Sequence, residues 1–562
     1  MNETGRRVDA VRSRSSEIEN DLIDAYRAGA ISRREFVRRG TVIGVSLPLL
    51  SLLASACGSG EQDGQKTEQS ENVKVKKGGA IRSGIAIPAG KLDPLSITDY
   101  GGIAILGQSG EYLTWADTKL RLQPRLADSW KPNSDGSVWT FKLHRGITFQ
   151  NGRPLEAADV VATIDRLADP DVGSNSLSAF RGVLSKGNIK AVDDATVEFR
   201  LDRPNGNFPY LVSSDNYNAI ILPRDFDGDW AKTLIGTGPW KLEKLIPDVS
   251  VKYVKNPDYW DKSRMPNADT SELRFYSQEE AAVLGLQGGE IDVLAQFSVS
   301  GGKALLNDPS VRTISVRSAT HDEVHMRTDM EPFRDKRVRQ AMALLVDRGT
   351  LVDGLFSKQA DLGNDSPFAP AFATTDKSVA QRQQDVAQAK QLLADAGKGG
   401  GFSVTLVTLD ELSVPEHAQL VQNDVKQAGI EIKLDITDKA TYYGDAVFGQ
   451  SRWLDSVLGI TNYAHRAVPN VLLGAPLKSD GTWNSAHFKN KAYDKLVNDY
   501  AAALDVESQL TGAKRIQTLL LDEVPVHYPY FSFYLTAVKD TVGGVEPTAT
   551  GHLDLRGAGS AA

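Results

Sequence analysis

Hydrophobic and polar residues alternate along some stretches of this chain and recur at helical spacing along others. Residues 139–143 (Trp-Thr-Phe-Lys-Leu) alternate, and so do residues 196–201, which follow the turn-prone pair Asp193-Asp194. Both stretches predict strands. Between them, residues 156–167 have an apolar face at helical spacing, formed by Val160, Val161, Ile164 and Leu167. The first half of the chain is therefore predicted to mix strands and helices.

The second half contains the clearest unit. Residues 402–409 predict a strand, residues 415–427 a helix that stops at Gly429, and residues 430–436 an alternating strand. Strand, helix and strand in this order predict a right-handed βαβ crossover. Ligands commonly bind beside the carboxyl ends of such strands. Further helices are predicted over 335–356, 385–396 (ended by Gly397), 492–504 and 507–521. The predicted fold class is mixed α/β.

The N-terminal region has the pattern of an export signal. Arg33 and Arg34 precede an uncharged stretch, residues 41–56, that ends at Cys57, the only cysteine. This stretch is shorter than the roughly 20 apolar residues of a spanning helix and contains Pro48. Residues 1–57 resemble a twin-arginine lipoprotein signal, in which Cys57 would receive a lipid. The polar residues 58–77 are predicted to be a flexible tether, with folded structure beginning near Gly78.

Composition and charge exclude some classes of function. The chain has 562 residues, of which 41% are hydrophobic and 24% charged, which is ordinary for a globular protein. Its formal net charge is −8, and no basic stripe with interleaved aromatic residues is present, so nucleic acid is not an expected partner. If Cys57 is lipidated, no thiol remains for a disulfide, and the core alone must stabilise the exported protein.

An ordered set of short motifs covers residues 78 to 545. It resembles the large extracytoplasmic solute-binding proteins of family 5, which serve peptide, nickel and opine importers of the ABC type. The motifs are 78–82 (GGAIR), 92–94 (LDP), 126–130 (LADSW), 139–149 (WTFKLHRGITF), 151–161, 236–240 (GTGPW), 256–260 (NPDYW) and 332–341 (PFRDKRVRQA). Most of their residues define a fold and leave the ligand open.

The resemblance implies a two-lobed clamp with a hinge and an extra inserted subdomain. Ligand would bind between the lobes, and closure would present a surface to membrane permease subunits. Chain crossings between the lobes are expected near 321–328 and 531–536. The implied boundaries are lobe I over 78–115 and 215–320, the inserted subdomain over 116–214, lobe II over 321–534, and a return to lobe I over 535–562.

The resemblance also suggests ligand-binding residues. Glu111 and Tyr112 match an early acidic segment at the edge of the family's cleft. Asn462 occupies the position at which peptide-binding members have an Asp that pairs with a peptide's amino terminus. Because an amide offers no full charge, recognition of a free amino terminus is in doubt. His465 and Arg466 place donors nearby and favour a carboxylate, phosphate or polyhydroxylated ligand, unless Arg466 pairs with a core acid. Further candidate wall residues are Trp240, Trp453, Tyr463, Trp483 and Asn484.

Other functions stay open as alternatives. Nickel-binding relatives exist, but the eight histidines mostly stand alone, and the spacing of His321 and His325 lies in a stretch that favours a strand. A secreted hydrolase would need a Gly-x-Ser-x-Gly elbow or an acid pair with a base, and the expected mature chain lacks the elbow. A sensory receptor would need the same clamp. The expected protein is a monomeric, membrane-anchored binding protein without cofactor or enzymatic activity.

Overall fold

The computed structural model describes residues 74–226 and 229–562. The predicted signal, with Arg33, Arg34 and Cys57, and most of the predicted tether lie outside these residues. The end of the tether region is bonded to the C-terminus: the backbone N–H of Lys76 donates to the Ser560 carbonyl at 2.9 Å, and that of Ala562 donates to the Lys74 carbonyl at 2.7 Å. These bonds join the two ends of the described chain.

Twenty-two strands are present within the described ranges. In chain order they are β1 (Ala80–Ala86), β2 (Thr114–Ala116), β3 (Leu122–Pro124), β4 (Ala127–Pro132), β5 (Val138–Leu143), β6 (Ile189–Asp193), β7 (Thr196–Arg200), β8 (Trp240–Ile246), β9 (Ser250–Lys255), β10 (Thr270–Tyr276), β11 (Val293–Leu294), β12 (Val311–Met326), β13 (Ala360–Leu362), β14 (Phe402–Leu409), β15 (Ile430–Thr437), β16 (Leu458–Tyr463), β17 (Val526–His527), β18 (Tyr530–Lys539), β19 (Val542–Gly543), β20 (Glu546–Pro547), β21 (Leu553–Asp554) and β22 (Gly559–Ser560).

Fourteen α-helices accompany these strands in the same ranges. They are α1 (Tyr100–Ser109), α2 (Ala157–Leu167), α3 (Leu177–Phe180), α4 (Phe208–Leu211), α5 (Glu279–Gln287), α6 (Lys336–Leu345), α7 (Arg348–Phe356), α8 (Val386–Asp395), α9 (Val414–Val425), α10 (Lys439–Tyr443), α11 (Arg452–Asp455), α12 (Asn470–Gly474), α13 (Lys491–Ala502) and α14 (Val506–Glu523).

The strongest sequence patterns are confirmed. Strands β14 and β15 pair in parallel from Phe402 opposite Ile430 to Leu409 opposite Thr437, with α9 between them. This is the predicted βαβ unit. Gly429 has a φ of +76° after the helical segment, in the left-handed region that glycine tolerates best. Strands β5 and β7 and helices α2, α8, α13 and α14 also lie where the pattern predicts them.

The single helix predicted over 335–356 is wrong, because two helices occupy this stretch. Val346 is extended, with φ −78° and ψ 123°, and separates α6 from α7. Asp347 then caps the second helix, since its Oδ1 accepts a 3.0 Å hydrogen bond from the backbone N–H of Thr350. A side-chain acceptor at this position satisfies an N–H that the helix itself leaves free. Hydrophobic spacing alone did not reveal this break.

One large sheet runs through the molecule, in the order β15-β14-β16-β12-β18-β11-β1-β10-β9-β8. We call β8, β9, β10, β1 and β11 half-sheet I, and β16, β14 and β15 half-sheet II. Strands β12 and β18 lie between them and pair with each other from Val311 opposite Lys539 to Thr320 opposite Ser532. The register of this pair shifts between Val316 and Thr320.

Strand directions place a cleft at this shift. Strands β1 and β11 run parallel to β12, whereas β16 runs antiparallel to it and parallel to β14. Through the strand pairings, Ala86 at the end of β1 lies level with Ser315 of β12, while Tyr463 at the end of β16 lies opposite His321. The carboxyl edges of the two half-sheets therefore face each other across the short stretch of β12 where the register shifts.

Two large hydrophobic cores stabilise the two sides. One packs half-sheet I with α1 and with the separate sheet β4-β5-β7-β6, and the other packs half-sheet II with its helices. The second core also takes in Leu120, Leu122 and Tyr210 from the segment predicted to be the inserted subdomain. That segment therefore bridges both sides. None of the described helices combines the length and hydropathy needed to cross a membrane.

Candidate functional site

The site is built on the end of β16 and on β12 beside it. Asn462 and Tyr463 are the last residues of β16, and His465 and Arg466 follow in the loop. All four therefore lie at the carboxyl edge of half-sheet II, which faces the carboxyl edge of half-sheet I. Strand β12 supplies their direct neighbours, because Asp322 pairs with Asn462 and His321 pairs with Tyr463.

The carboxylate of Asp322 organises one face of this edge. It is buried and accepts hydrogen bonds from Nδ2 of Asn462 at 2.6 Å and from the hydroxyl of Tyr530, and its Oδ2 lies 3.7 Å from Nδ1 of His417. Burial acts to raise the pKa of Asp322, but His417, Tyr530 and Asn462 together hold it below its usual value. The carboxylate is therefore ionised at neutral pH.

An ionised carboxylate accepts hydrogen bonds and donates none, which determines how the Asn462 amide is oriented. Its NH2 group must face Asp322, so its Oδ1 is the atom left for other contacts. Among the described residues, no donor bonds to this oxygen, and the side chain is only half-buried. The cleft edge therefore presents an acceptor at this position, with a negative charge directly behind it.

An aromatic layer covers the opposite face of the same strands. The ring of Tyr463 is nearly parallel to that of His321, with centroids 5.5 Å apart, and the Trp483 ring is tilted against it with centroids 6.0 Å apart. Glu323 is fully buried in this layer, and Nε2 of His321 lies 3.9 Å from its Oε2. Burial, and next the Glu323 charge, raise the pKa of the Tyr463 and Tyr528 hydroxyls. Within the described chain, neither oxygen of Glu323 receives a hydrogen bond of ordinary geometry.

His465 and Arg466 make their contacts within the protein. Nδ1 of His465 accepts a 3.0 Å hydrogen bond from the Ala319 backbone, and burial, followed by the Arg466 charge, lowers the pKa of His465 to about 3. The histidine is therefore neutral. Arg466 donates to the His465 carbonyl at 2.7 Å and interacts electrostatically with Asp215, whose Oδ1 accepts from the Ala467 N–H at 2.7 Å.

Glu111, Tyr112 and Trp240 lie elsewhere, in the interior behind half-sheet I. The carboxylate of Glu111 accepts from the Thr237 hydroxyl at 2.9 Å and from the Tyr259 hydroxyl and the Trp260 indole at 2.8 Å. Burial raises the pKa of Glu111. The Tyr112 hydroxyl donates to the Tyr217 carbonyl at 2.9 Å, and Trp240 begins β8 at the edge away from the cleft. The structure does not bring these three residues together with Asn462.

Trp453 and Asn484 pack within the second side. Trp453 is buried, and its ring contacts Tyr443 edge-on at 5.1 Å. Nδ2 of Asn484 donates to the carbonyls of Lys478 and Phe488, and its Oδ1 accepts from the Phe488 N–H at 2.9 Å. All three bonds stay inside one loop. The ligand-binding role of the ten candidates stays a prediction.

Sequence reasoning missed the acids of this edge. Asp322 and Glu323 lie between His321 and His325. Sequence reasoning considered only the spacing of these two histidines, as possible metal ligands, and did not consider the two carboxylates. Two adjacent acids in a predicted strand were the available signal, because acidic residues are depleted in strands and are seldom fully buried without partners. In the described ranges, no group of three or more His, Cys, Asp or Glu side chains could hold a metal ion.

Comparisons with known proteins agree with this architecture. A family model described as bacterial extracellular solute-binding proteins, family 5 Middle, matches residues 121–467. The dipeptide-binding protein DppE of Bacillus subtilis (strain 168) is 26% identical over 472 residues, which cover 77% of this chain and 83% of that protein. The glutathione-binding protein GsiB of Salmonella choleraesuis (strain SC-B67) is 26% identical over 454 residues, covering 77% and 85%.

Solved structures show the same fold. The substrate-binding protein CtaP of Listeria monocytogenes, described as belonging to an ABC transporter, superimposes with a TM-score of 0.75 at 22% identity. The alignment covers 87% of this chain and all of that one, 100%. Periplasmic binding proteins among the structural neighbours have the two-lobed form, so the predicted mixed α/β, two-lobed fold class is confirmed.

Proposed function

Because the chain belongs to the bacterial extracellular solute-binding proteins of family 5, we propose that it is the substrate-binding lipoprotein of an ABC-type importer. Members of this family are extracytoplasmic binding proteins and not enzymes. The observation that carries the proposal is the pair of carboxyl edges facing each other across the register shift of β12. A solute bound there contacts both half-sheets and is enclosed when they approach, with no covalent step.

The proposed ligand is a peptide-like solute with an amino group. Oδ1 of Asn462 offers an acceptor at the cleft edge, and Asp322 stands behind it. Within the described ranges, no Lys or Arg forms an ion pair with Asp322, and the basic side chain nearest to its Oδ2 is His417, with Nδ1 at 3.7 Å. A cationic nitrogen is attracted to the buried carboxylate of Asp322, whereas an anion is repelled. The names of DppE and GsiB, which bind a dipeptide and glutathione, support the same class.

This proposal replaces the anionic ligand favoured by the sequence. Arg466 and His465 were the expected donors, but His465 is neutral and buried, and Arg466 donates to the His465 carbonyl and lies within electrostatic reach of Asp215. A nearby carboxyl group reduces the attraction of an arginine for an anionic ligand. No ion pair of Arg466 with a carboxylate is present among the described residues, so the alternative that Arg466 pairs with a core acid stays a prediction.

Delivery requires anchoring and a permease. We propose that twin-arginine export through Arg33 and Arg34 and lipidation at Cys57 tether a monomer to the outer face of the cytoplasmic membrane. The proposed lobe boundaries are those derived from the sequence, with β12 and β18 as the crossings. In cell fractionation, Cys57→Ala should move the protein from membranes to the soluble envelope fraction. Retention of this variant in membranes would contradict the lipid anchor.

A binding experiment tests the ligand class directly. Native mass spectrometry of the full-length protein purified from its own cells should detect a co-purified small molecule with a basic nitrogen. Titration with dialanine should raise the unfolding temperature, and N-acetyl-dialanine, which lacks the ammonium group, should not. Small-angle scattering should record compaction with dialanine. An acidic co-purified solute, or equal stabilisation by both peptides, would refute the proposed ligand class.

A further inference from the structure

A cavity lies near the amino edge of half-sheet I, away from the carboxyl edge that faces the cleft. Trp240, which lines it, is the first residue of β8, and β8 runs in the same direction as β1 through the pairings with β9 and β10. The cavity therefore opens near the amino edge, opposite the carboxyl edge that faces the cleft. Its volume is about 20 Å³, and it is partly open to solvent. Its polar lining consists mainly of Gln108, Glu111, Arg125, Trp240, Asp554 and Arg556.

Arg125 is the unusual member of this lining. The residue is 5% exposed, and its guanidinium carbon lies 5.1 Å from the centroid of the Trp115 ring. In residues 74–226 and 229–562, no acceptor forms a hydrogen bond or ion pair with this guanidinium. A buried charge without a counterion is costly, and one cation–π contact offsets only part of the cost.

The acceptors around the cavity are already occupied. Glu111 receives three hydrogen bonds, from Thr237, Tyr259 and Trp260. The carboxylate of Asp554 is paired with Arg556, whose Nε donates to its Oδ1 at 2.9 Å. The carboxylates of Glu111 and Asp554 are therefore already bonded to other residues, which agrees with the absence of an ion pair between either of them and Arg125.

Arg125 and Trp240 have N–H donors without an acceptor in the described part of the chain. Nε2 of Gln108 is used, because it donates to the carbonyls of Ala104 at 3.1 Å and Leu553 at 2.7 Å. In contrast, the buried Nε1 of Trp240 has no acceptor among the described residues. The Arg125 guanidinium and the Trp240 indole N–H, both unpartnered within the described ranges, thus belong to two residues that line the same small space. The missing partner is an acceptor, and a negatively charged one would satisfy both.

We propose that this cavity binds a compact oxoanion, such as a carboxylate group or an inorganic oxoanion, between Arg125 and Trp240. A planar guanidinium binds two oxygens of such an anion at once, and the Trp240 N–H can hold a further oxygen. The space is far smaller than an ordinary ligand site and accommodates only a compact group of a few heavy atoms, which excludes a peptide or a nucleotide. This site is independent of the cleft and of the proposed transport ligand.

Sodium selenate is a suitable probe, because selenium scatters X-rays anomalously. We expect an anomalous peak in the cavity of selenate-soaked crystals of the full-length protein, within hydrogen-bonding reach of Arg125 and Trp240. In solution, selenate should raise the unfolding temperature in a saturable way. Arg125→Met should weaken the apparent affinity at least about ten-fold, and Trp240→Phe should weaken it about three-fold.

The control is Arg181→Met, which removes the same charge from an exposed position. Oxoanions such as selenate stabilise folded proteins generally, so only the difference between variants counts. If Arg125→Met fails to fold, judged by circular dichroism, Trp240→Phe and the crystal still decide. Equal responses of all variants, or an empty cavity in the soaked crystal, would overturn the proposal and leave water as the occupant.

Discussion

Nδ2 of Asn462 donates a 2.6 Å hydrogen bond to Oδ1 of Asp322, the residue directly opposite it on the neighbouring strand. The two positions are 140 residues apart in the chain. Through this bond a neutral amide at the cleft edge is coupled to a buried negative charge. The charge that a ligand meets at this edge therefore depends on a residue that the ligand does not touch.

Asp322→Asn should weaken binding of a ligand with an ammonium group. The substitution keeps the size and one acceptor oxygen, replaces the other oxygen by an NH2 donor, and removes the charge behind Asn462. We expect the affinity for dialanine to fall about ten-fold, which corresponds to about 1.4 kcal/mol, by isothermal titration calorimetry. Asp480→Asn, which removes an exposed charge from the same side of the molecule, should bind as the wild type does. Unchanged affinity in Asp322→Asn would show that Asp322 does not attract the ligand.

Asp365 should be a major source of stability. It is buried, its carboxylate accepts from Nη2 of Arg348 at 2.8 Å, and it lies 2.7 Å from Nε of Arg382 and from Nδ1 of His527. Asp365→Ala leaves two guanidinium groups unpaired and should lower the free energy of unfolding by about 3–5 kcal/mol in urea denaturation. The exposed Asp353→Ala on α7 should change it by no more than about 0.5 kcal/mol.

The same site predicts an acid dependence. Burial acts to raise the pKa of Asp365, but Arg348, His527 and Arg382 hold it well below its usual value. A carboxyl with a lowered pKa contributes stability above the pKa of the unfolded chain and loses it as the pH falls towards the folded pKa. Below about pH 4, the wild type should therefore lose stability more steeply than Asp365→Ala. Parallel curves for the two proteins in that range would refute this assignment.

Asp215 should have the opposite pH dependence. Burial raises its pKa to about 6, so the folded protein binds the proton more tightly than the unfolded chain. Its contribution is present below the unfolded pKa and is lost as the pH rises through about 6. Asp215→Asn keeps an acceptor for the Ala467 N–H and has no charge to bury. The variant should gain about 2–3 kcal/mol relative to the wild type between pH 4 and 7, measured by denaturation across this range.

A difference in stability that stayed constant between these pH values would contradict the titration of Asp215. The bond from the Ala467 N–H to Asp215 also joins the segment before β8 to the loop after β16. Measuring the ligand affinity at the same pH values would therefore separate an effect of Asp215 on folding from an effect on closure of the cleft.

Gly206 should tolerate no side chain. Its backbone N–H donates to the Ala501 carbonyl at 2.8 Å, and a Cβ on Gly206 would lie 2.1 Å from the Ala503 carbonyl oxygen. Gly206→Ala must push the inserted segment away from the end of α13, and we expect a loss of about 1–3 kcal/mol in unfolding free energy. Gly354→Ala on α7 is the matched control, because nothing lies within 4 Å of its Cβ position.

The control should stabilise the protein by about 0.5–1 kcal/mol, since alanine favours a helix over glycine. Stability unchanged or increased in Gly206→Ala would show that the inserted segment is not held against α13 in solution. Small-angle scattering of the same variant would then record a more open molecule.

Local patterns along the chain determined most of the elements. Alternation at residues 139–143 and the βαβ pattern at 402–436 predicted β5, β14, α9 and β15. These predictions succeeded because burial of one face and a glycine at the end of a helix are local signals that do not depend on the rest of the fold. The pattern failed at 335–356, where a side-chain cap at Asp347 starts a new helix inside a continuous apolar stripe. Such a cap depends on one side chain and leaves the hydrophobic spacing unchanged.

The sequence by itself determined the fold class and the family, and it singled out Asn462 and Tyr463 as candidate ligand-binding residues. Only the tertiary structure decided what stands beside them. The pairing of β12 with β16 brings Asp322 to Asn462, and the loop after β16 bonds to Asp215 through the Ala467 N–H, which places Arg466 within electrostatic reach of Asp215. Glu111, expected at the cleft, is enclosed by Thr237, Tyr259 and Trp260. Local patterns depend on neighbours along the chain. The charge of a site, and whether its polar groups are already hydrogen-bonded, depend on residues that meet only when distant strands pair.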